Sequence, residues 1–128
     1  MIRKLLMFVF LILFSSQAVS ASDSFIELES KVYDVNQLAS LGTNYDTYSK
    51  YTTELALSLG RYDRTLNGYE PSAYEFNIRK AAQEYVEIMQ YWAKSISTPQ
   101  NDPDTFRVII KVKFAIANHT ILTAKKIK

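Results

Sequence analysis

Cysteine is absent from the 128 residues, and histidine and tryptophan occur once each. The chain therefore forms no disulfide, attaches no haem through a C-x-x-C-H motif and offers no thiol for lipid attachment. Zinc sites need clusters of His, Cys or acidic ligands, and di-iron bundles need two E-x-x-H motifs, neither of which the sequence contains. These absences predict a domain held together by packing alone.

The motifs of nucleophilic catalysis are missing as well. A histidine-assisted serine nucleophile would have to use His119, and the G-x-S-x-G and S-x-x-K patterns do not occur. Acidic pairs such as Glu84 with Glu87, or Glu27 with Glu29, fall outside the apolar helix stripes and are interpreted as solvated. General acid–base catalysis needs a shaped cleft and displaced pKa values. We therefore expect a protein that is not an enzyme.

The first 21 residues predict an export signal. Arg3 and Lys4 give it a positive start, Leu5–Phe14 form a run of ten apolar residues, and small residues precede the predicted cut. A membrane anchor is the competing interpretation, but ten apolar residues span only about 15 Å as a helix, roughly half of a bilayer core. We expect cleavage after Ala21, or else after Ser20, and a periplasmic or secreted mature chain.

Residues 22–128 have the length of one domain and can bury a core without disulfides. Removal of the signal leaves equal numbers of acidic and basic residues. Their distribution is uneven, because every charged residue after Asp104 is basic. Nucleic acid is not an expected partner, since the mature charge is balanced and no known binding module is present.

Sequence signals for helix starts and ends recur along this domain, whereas signals for strands do not. Ser24 with Glu27 predicts a capping box at the start of a first helix. Thr43 or Asn44 can cap a second helix, whose apolar residues repeat at steps of four and three until Gly68. Two of the four predicted helices are placed in this way.

Two further capping signals follow. Pro71-Ser72 with Glu75 predicts a second capping box and a third helix. Asp102 as N-cap and Pro103 in the first helical position open a fourth helix that continues to the end of the chain. Four helices with short connections predict an all-α, antiparallel four-helix bundle.

Gly42 leaves an alternative open. A glycine inside a helix costs about 1 kcal/mol, so the first two helices can also form one long rod kinked at Gly42. Such a rod would reach roughly 60 Å, whereas the third and fourth helices reach roughly 35 to 40 Å. We expect a tight turn at Gly42; the alternative is a three-helix bundle with a long, kinked first helix.

The segment NYDTYSKY, residues 44–51, spaces Tyr45, Tyr48 and Tyr51 by three. At about 100° per residue, Tyr48 lies at the centre of the apolar stripe and its two neighbours lie about 60° to either side. We expect Tyr48 in the core and the other two at the boundary. Alternatively, Tyr45 and Tyr51 belong to an aromatic patch for a peptide, sugar or lipid. Three more tyrosines would support that patch if they gathered nearby: Tyr69, Tyr74 and Tyr91.

The fourth helix is apolar around most of its circumference. One arc is predicted to face the core and contains Ile110, Phe114, Ala117 and Ile121. An opposite arc contains Val108, Val112, Ala115 and Leu122. One bundle core does not readily cover both arcs, so the second arc predicts a homodimer contact or a surface for a protein partner. The alternative is a generous core with a few exposed aliphatic residues.

The basic residues of the fourth helix also have two interpretations. They complement the helix dipole and the acidic remainder of the bundle. Alternatively, Arg107, Lys111 and Lys125 contact an anionic surface such as phospholipid or lipopolysaccharide head groups.

Met89 and His119 are the only methionine–histidine pair in the predicted mature chain. A noncovalent haem would have to use them, whereas a lone histidine on an apolar helix is more often a packing residue. We expect no resident cofactor. The sequence thus predicts an exported bundle that acts by protein interaction or self-association, and the alternative is a periplasmic small-molecule carrier or redox bundle with lipid or noncovalent haem.

Overall fold

The computed structural model describes residues 20–98 and 102–128. These residues form four helices: α1 (Ala21–Leu41), α2 (Tyr45–Arg64), α3 (Ala73–Ser97) and α4 (Pro103–Ile127). No strand occurs within the described ranges. The predicted antiparallel four-helix bundle is confirmed. The predicted export signal lies outside the described residues, apart from its last two positions.

Side-chain caps define where three of the predicted helices begin. Asn44 Oδ1 accepts a hydrogen bond at 2.9 Å from a backbone N–H in the first turn of α2. Ser72 Oγ does the same for α3 at 3.2 Å, and Asp102 Oδ1 accepts two such bonds in α4 at 3.2 Å. These bonds satisfy N–H groups that have no partner within the helix. The predicted caps at Asn44, Ser72 and Asp102 are confirmed, whereas the Glu75 carboxylate accepts hydrogen bonds from Tyr62 and Tyr69 instead of completing the predicted capping box.

The predicted capping box at Ser24 and Glu27 is wrong. α1 begins at Ala21, and Ser20 Oγ accepts a hydrogen bond from the first turn at 3.2 Å. Ser24 lies one turn before Leu28 on the side of α1 that faces the core, and both residues are buried. Ser24 lies within the helix and packs in the core, so it cannot act as the N-cap.

Gly42 forms a turn between two separate helices. α1 ends at Leu41, α2 begins at Tyr45, and Gly42 has φ 89° and ψ 140°. This combination is essentially restricted to glycine because it has no Cβ. The alternative of a rod kinked at Gly42 is therefore excluded.

One core joins the four helices, and α3 packs against all of the other three. α4 packs mainly against α3 and approaches α1 much less closely. The predicted core arc of α4 does face inward, with Phe114 half-buried and the others buried. The fully buried residues of the core include Leu28, Val32, Val35, Tyr48, Leu55, Tyr62, Ile78, Ala81, Ala82, Tyr85, Ala117 and Ala124.

A hydrogen-bonded set of three polar side chains inside the bundle connects three helices. Asn36 Nδ2 on α1 donates to Tyr85 Oη on α3 at 2.9 Å and to Asn118 Oδ1 on α4 at 3.2 Å. The Tyr85 hydroxyl also donates to Asn118 Oδ1. Because polar groups need partners when they leave water, this arrangement favours one register of the three helices.

Candidate functional site

The side of α4 that faces away from the core forms an exposed apolar surface. Val108 is 59% exposed, Val112 52%, Ile116 54% and Leu122 55%, and Ala115 between them is exposed as well. These five residues are called the outer face of α4 below. The surface exists because α4 packs mainly against one neighbour, so a broad arc of this helix has no covering element among the described residues.

All four residues of the predicted second arc are exposed: Val108, Val112, Ala115 and Leu122. Ile116 was not among the predicted residues, although its position one turn after Val112 could have indicated it. His119 is also exposed and lies between Ala115 and Leu122 in the four–three spacing of this face. The outer face of α4 is thus a ridge of aliphatic side chains with one imidazole.

The two candidate haem ligands are not brought together. His119 is exposed on α4, whereas Met89 is half-buried and its Sδ lies 2.9 Å from Thr52 Oγ1 on α2. In addition, the described ranges contain no cluster of three or more His, Cys, Asp or Glu residues that could hold a metal ion.

The three tyrosines of residues 44–51 occupy the predicted positions. Tyr48 is fully buried and donates its hydroxyl hydrogen bond to the backbone oxygen of Tyr85 at 2.6 Å. Tyr45 packs edge-on against Trp92 with 5.7 Å between ring centroids. Tyr51 is 40% exposed and borders a shallow groove on α1 and α2. Tyr45 and Tyr51 therefore lie on α2, separate from the outer face of α4.

Two of the three remaining candidate tyrosines lie far from Tyr45 and Tyr51, and the third, Tyr91, stacks on Phe106 of α4. Tyr69 and Tyr74 lie at the opposite end of the bundle, where Tyr69 donates to Glu75 at 2.8 Å and Tyr74 donates to Glu29. Burial, followed by the hydrogen bond to Glu29, raises the pKa of Tyr74 above its ordinary value. This end of the bundle is a set of phenol–carboxylate contacts that stabilise the helix pairings. Tyr69, Tyr74 and Tyr91 therefore do not form one patch with Tyr45 and Tyr51.

The three candidate anion contacts have different surroundings. Lys125 Nζ lies 5.3 Å from the centre of the Tyr33 ring, a cation–π contact that ties α4 to α1. Arg107 is highly exposed and pairs with Asp104 only at 3.9 Å. Lys111 is exposed as well, and together with Arg107 it borders a groove at the other end of α4.

That groove, called the end groove below, lies where the α1–α2 turn meets the C-terminal end of α3 and the N-terminal half of α4. It has a volume of about 520 Å³. Thr43 and Ser95 provide hydroxyls, Arg107 and Lys111 provide positive charge, and the walls are otherwise apolar: Trp92, Ile96, Pro103, Phe106 and Ile110. Sequence periodicity did not predict this groove.

Within the described ranges, no helix has both the length and the apolar character that crossing a membrane requires.

No protein-family model, curated protein or solved structure matches this chain.

Proposed function

We propose that this protein is a non-enzymatic binding module that acts through the outer face of α4. The exposure of four large aliphatic side chains along one ridge is the observation that carries the proposal. Isolated apolar residues are common on protein surfaces, and the alignment of four of them along one helix favours an interaction site.

The charges of α4 itself favour a partner other than a second copy of the same helix. Every charged residue of α4 after Asp104 is basic. Two α4 helices facing each other would bring these like charges together, which disfavours association. We therefore propose a protein partner that presents an apolar strip flanked by acidic residues. A homodimer and an anionic membrane surface remain as outcomes of the test.

The dimensions of the ridge indicate a modest interface. From Val108 to Leu122 the helix rises about 21 Å, and a helix is about 10 Å wide, giving roughly 200 Å². Stable complexes bury roughly 800 Å² on each partner. A partner helix packed along α4 is compatible with this area, and we expect a transient complex unless the partner also contacts neighbouring helices.

We further propose that this binding takes place outside the cytoplasm, after signal cleavage near Ala21. The support is the N-terminal sequence, with its basic start and apolar run. N-terminal sequencing of the protein recovered from the periplasm or the medium tests this part separately. A chain that retains Met1 and stays in the cytoplasm would contradict it.

A photo-crosslinking amino acid at position 112 tests the binding surface in living cells. The matched control carries the same amino acid at Ile26 of α1, which is 60% exposed and therefore similar to Val112. We expect a discrete protein adduct at position 112 that is absent at position 26. An adduct of twice the protomer mass would indicate a homodimer, and lipid adducts would indicate a membrane surface; either result would overturn the proposal of an acidic protein partner.

A further inference from the structure

The end groove exists because two helices of the bundle are longer than the other two. α3 and α4 contain 25 residues each, whereas α1 contains 21 and α2 contains 20. Trp92 is level with Tyr45 at the start of α2, and α3 continues for five further residues. This extension amounts to about 7 Å of helix beyond the α1–α2 turn. Among the described residues, no helix covers its inner side.

Sequence periodicity continues through this extension although the covering helices have ended. Ile96 follows Trp92 at the spacing of the α3 core stripe, yet it is 61% exposed. Phe106 is half-buried and stacks on Tyr91 with 5.3 Å between ring centroids, so one wall of the groove is held in place by an aromatic pair. The result is a preformed apolar cleft whose volume falls within the range of about 300 to 1,000 Å³ typical of small-ligand sites.

The charged residues that line the groove favour a ligand with a negatively charged head group. Arg107 and Lys111 are the two charged residues among those that line it, and both are cations. Asp104 competes for Arg107, but at 3.9 Å between largely exposed side chains this pair is weak. The planar guanidinium of arginine presents parallel N–H donors that match the two oxygens of a carboxylate.

We propose that the end groove binds a single-chain fatty acid. The acyl chain packs along Trp92, Ile96 and Phe106, and the carboxylate is held between Arg107 and Lys111. This site includes none of the five residues of the outer face of α4, although Lys111 lies one turn before Ala115. It therefore does not depend on the proposed protein partner, and either proposal can fail without the other.

Trp92 provides a direct reporter because it is the single tryptophan and lines the groove. Dodecanoate is titrated below its critical micelle concentration, alongside dodecyltrimethylammonium, which has the same chain and a positive head group. We expect dodecanoate to shift the Trp92 emission to the blue with saturation at one ligand per chain. Absence of a saturable change, or equal binding of the cationic compound, would overturn the proposal.

Two variants locate the site. Arg107→Gln combined with Lys111→Gln should weaken dodecanoate binding by about tenfold, whereas Lys80→Gln with Lys126→Gln removes the same charge elsewhere and should leave binding unchanged. Equal loss in both double variants would show a nonspecific charge effect and contradict the site.

Blocking the groove supplies the second criterion. Ile96→Glu places a carboxylate at an exposed position of the wall and should abolish the dodecanoate response while the helical circular dichroism stays unchanged. Ile116→Glu makes the same substitution on the outer face of α4 and should retain full binding. Retained binding in Ile96→Glu would show that the fatty acid binds elsewhere.

Discussion

At the scale of single residues, tyrosine hydroxyls supply much of the polar bonding inside the bundle. Tyr48 is hydrogen-bonded to the backbone of Tyr85, and the Tyr85 hydroxyl is bonded to Asn36 and Asn118. Burial raises the pKa of Tyr85 to about 12, and the nearby Glu84 carboxylate adds to the rise. Burial raises the pKa of Tyr48 even further. Ionisation of these phenols is therefore strongly linked to unfolding.

Alkaline titration should reveal this linkage. An unfolded tyrosine loses its proton near pH 10, whereas folded Tyr85 keeps its proton until about pH 12. The stabilisation is complete below pH 10 and is lost as the pH rises toward 12, by about 1.4 kcal/mol per pH unit for each such tyrosine. Denaturant unfolding at pH 9, 10 and 11 measures the slope. Tyr85→Phe should show a shallower slope than the wild type, and an identical slope would contradict the assignment.

Ser58 presents the opposite situation, a buried hydroxyl that contributes no bond. It is fully buried, and its Oγ has no hydrogen-bond partner among the described residues. Ser58→Ala removes this unpaired group and should raise the free energy of unfolding by about 1 kcal/mol. Thr52→Val is the control, because Thr52 Oγ1 donates to the Tyr48 carbonyl at 2.7 Å, and its loss should lower stability by a similar amount. A lower stability for Ser58→Ala would mean that its hydroxyl has a partner.

At the scale of helices, Gly42 decides the architecture. A Cβ at Gly42 would meet no atom within 4 Å, so only the backbone conformation opposes another residue there. Its positive φ with extended ψ separates α1 from α2 and makes four helices out of what could have been three.

Alanine at two glycines tests this role. Gly42→Ala should lower the free energy of unfolding by about 1 to 3 kcal/mol because of backbone strain. Gly60 lies within α2, where an added Cβ would come no closer than 3.8 Å to the flexible Arg64 side chain. Gly60→Ala should raise stability by about 0.5 to 1 kcal/mol. Thermal and denaturant unfolding measure both, and a tolerant Gly42 would show that the turn accepts another conformation.

The sequence predicted these helices well where local chemistry decides the outcome. Caps at Asn44, Ser72 and Asp102 use short-range bonds within one turn, so residue type and position were sufficient. Ser24 has the same chemistry but lies on the core side of α1, and tertiary packing overrides its preference for a cap. The local pattern could not distinguish these two cases.

Features that depend on how far the helices extend were missed. The contact of Asn36 with Tyr85 and Asn118 depends on the register of three helices, which apolar spacing does not specify. The end groove depends on the lengths of α3 and α4 relative to the other pair. The spacing of Ile96 therefore correctly placed it on the same side of α3 as the core residues. It could not show that no described helix extends far enough to cover Ile96.

At the scale of the whole molecule, α3 is the central helix and α4 is the most accessible one. α3 packs against every other helix, whereas α4 has one principal neighbour. This arrangement divides α4 into a core side that stabilises the bundle and an exposed outer face, on which we propose that a partner binds. A substitution on α4 should therefore affect either folding or binding, according to the side on which it lies.

Sedimentation velocity of two α4 variants, mixed with the partner captured by crosslinking, tests this division most directly. Val112→Glu should keep the helical circular dichroism of the wild type, because Val112 is exposed. It should sediment as a free monomer, because a carboxylate in the apolar contact disfavours binding of the partner. Ile121→Glu should lose its helical signal, since Ile121 is only 1% exposed and a buried, unpaired carboxylate is strongly destabilising. If Val112→Glu unfolds like Ile121→Glu, or if it still co-sediments with the partner, the outer face of α4 is not the binding surface.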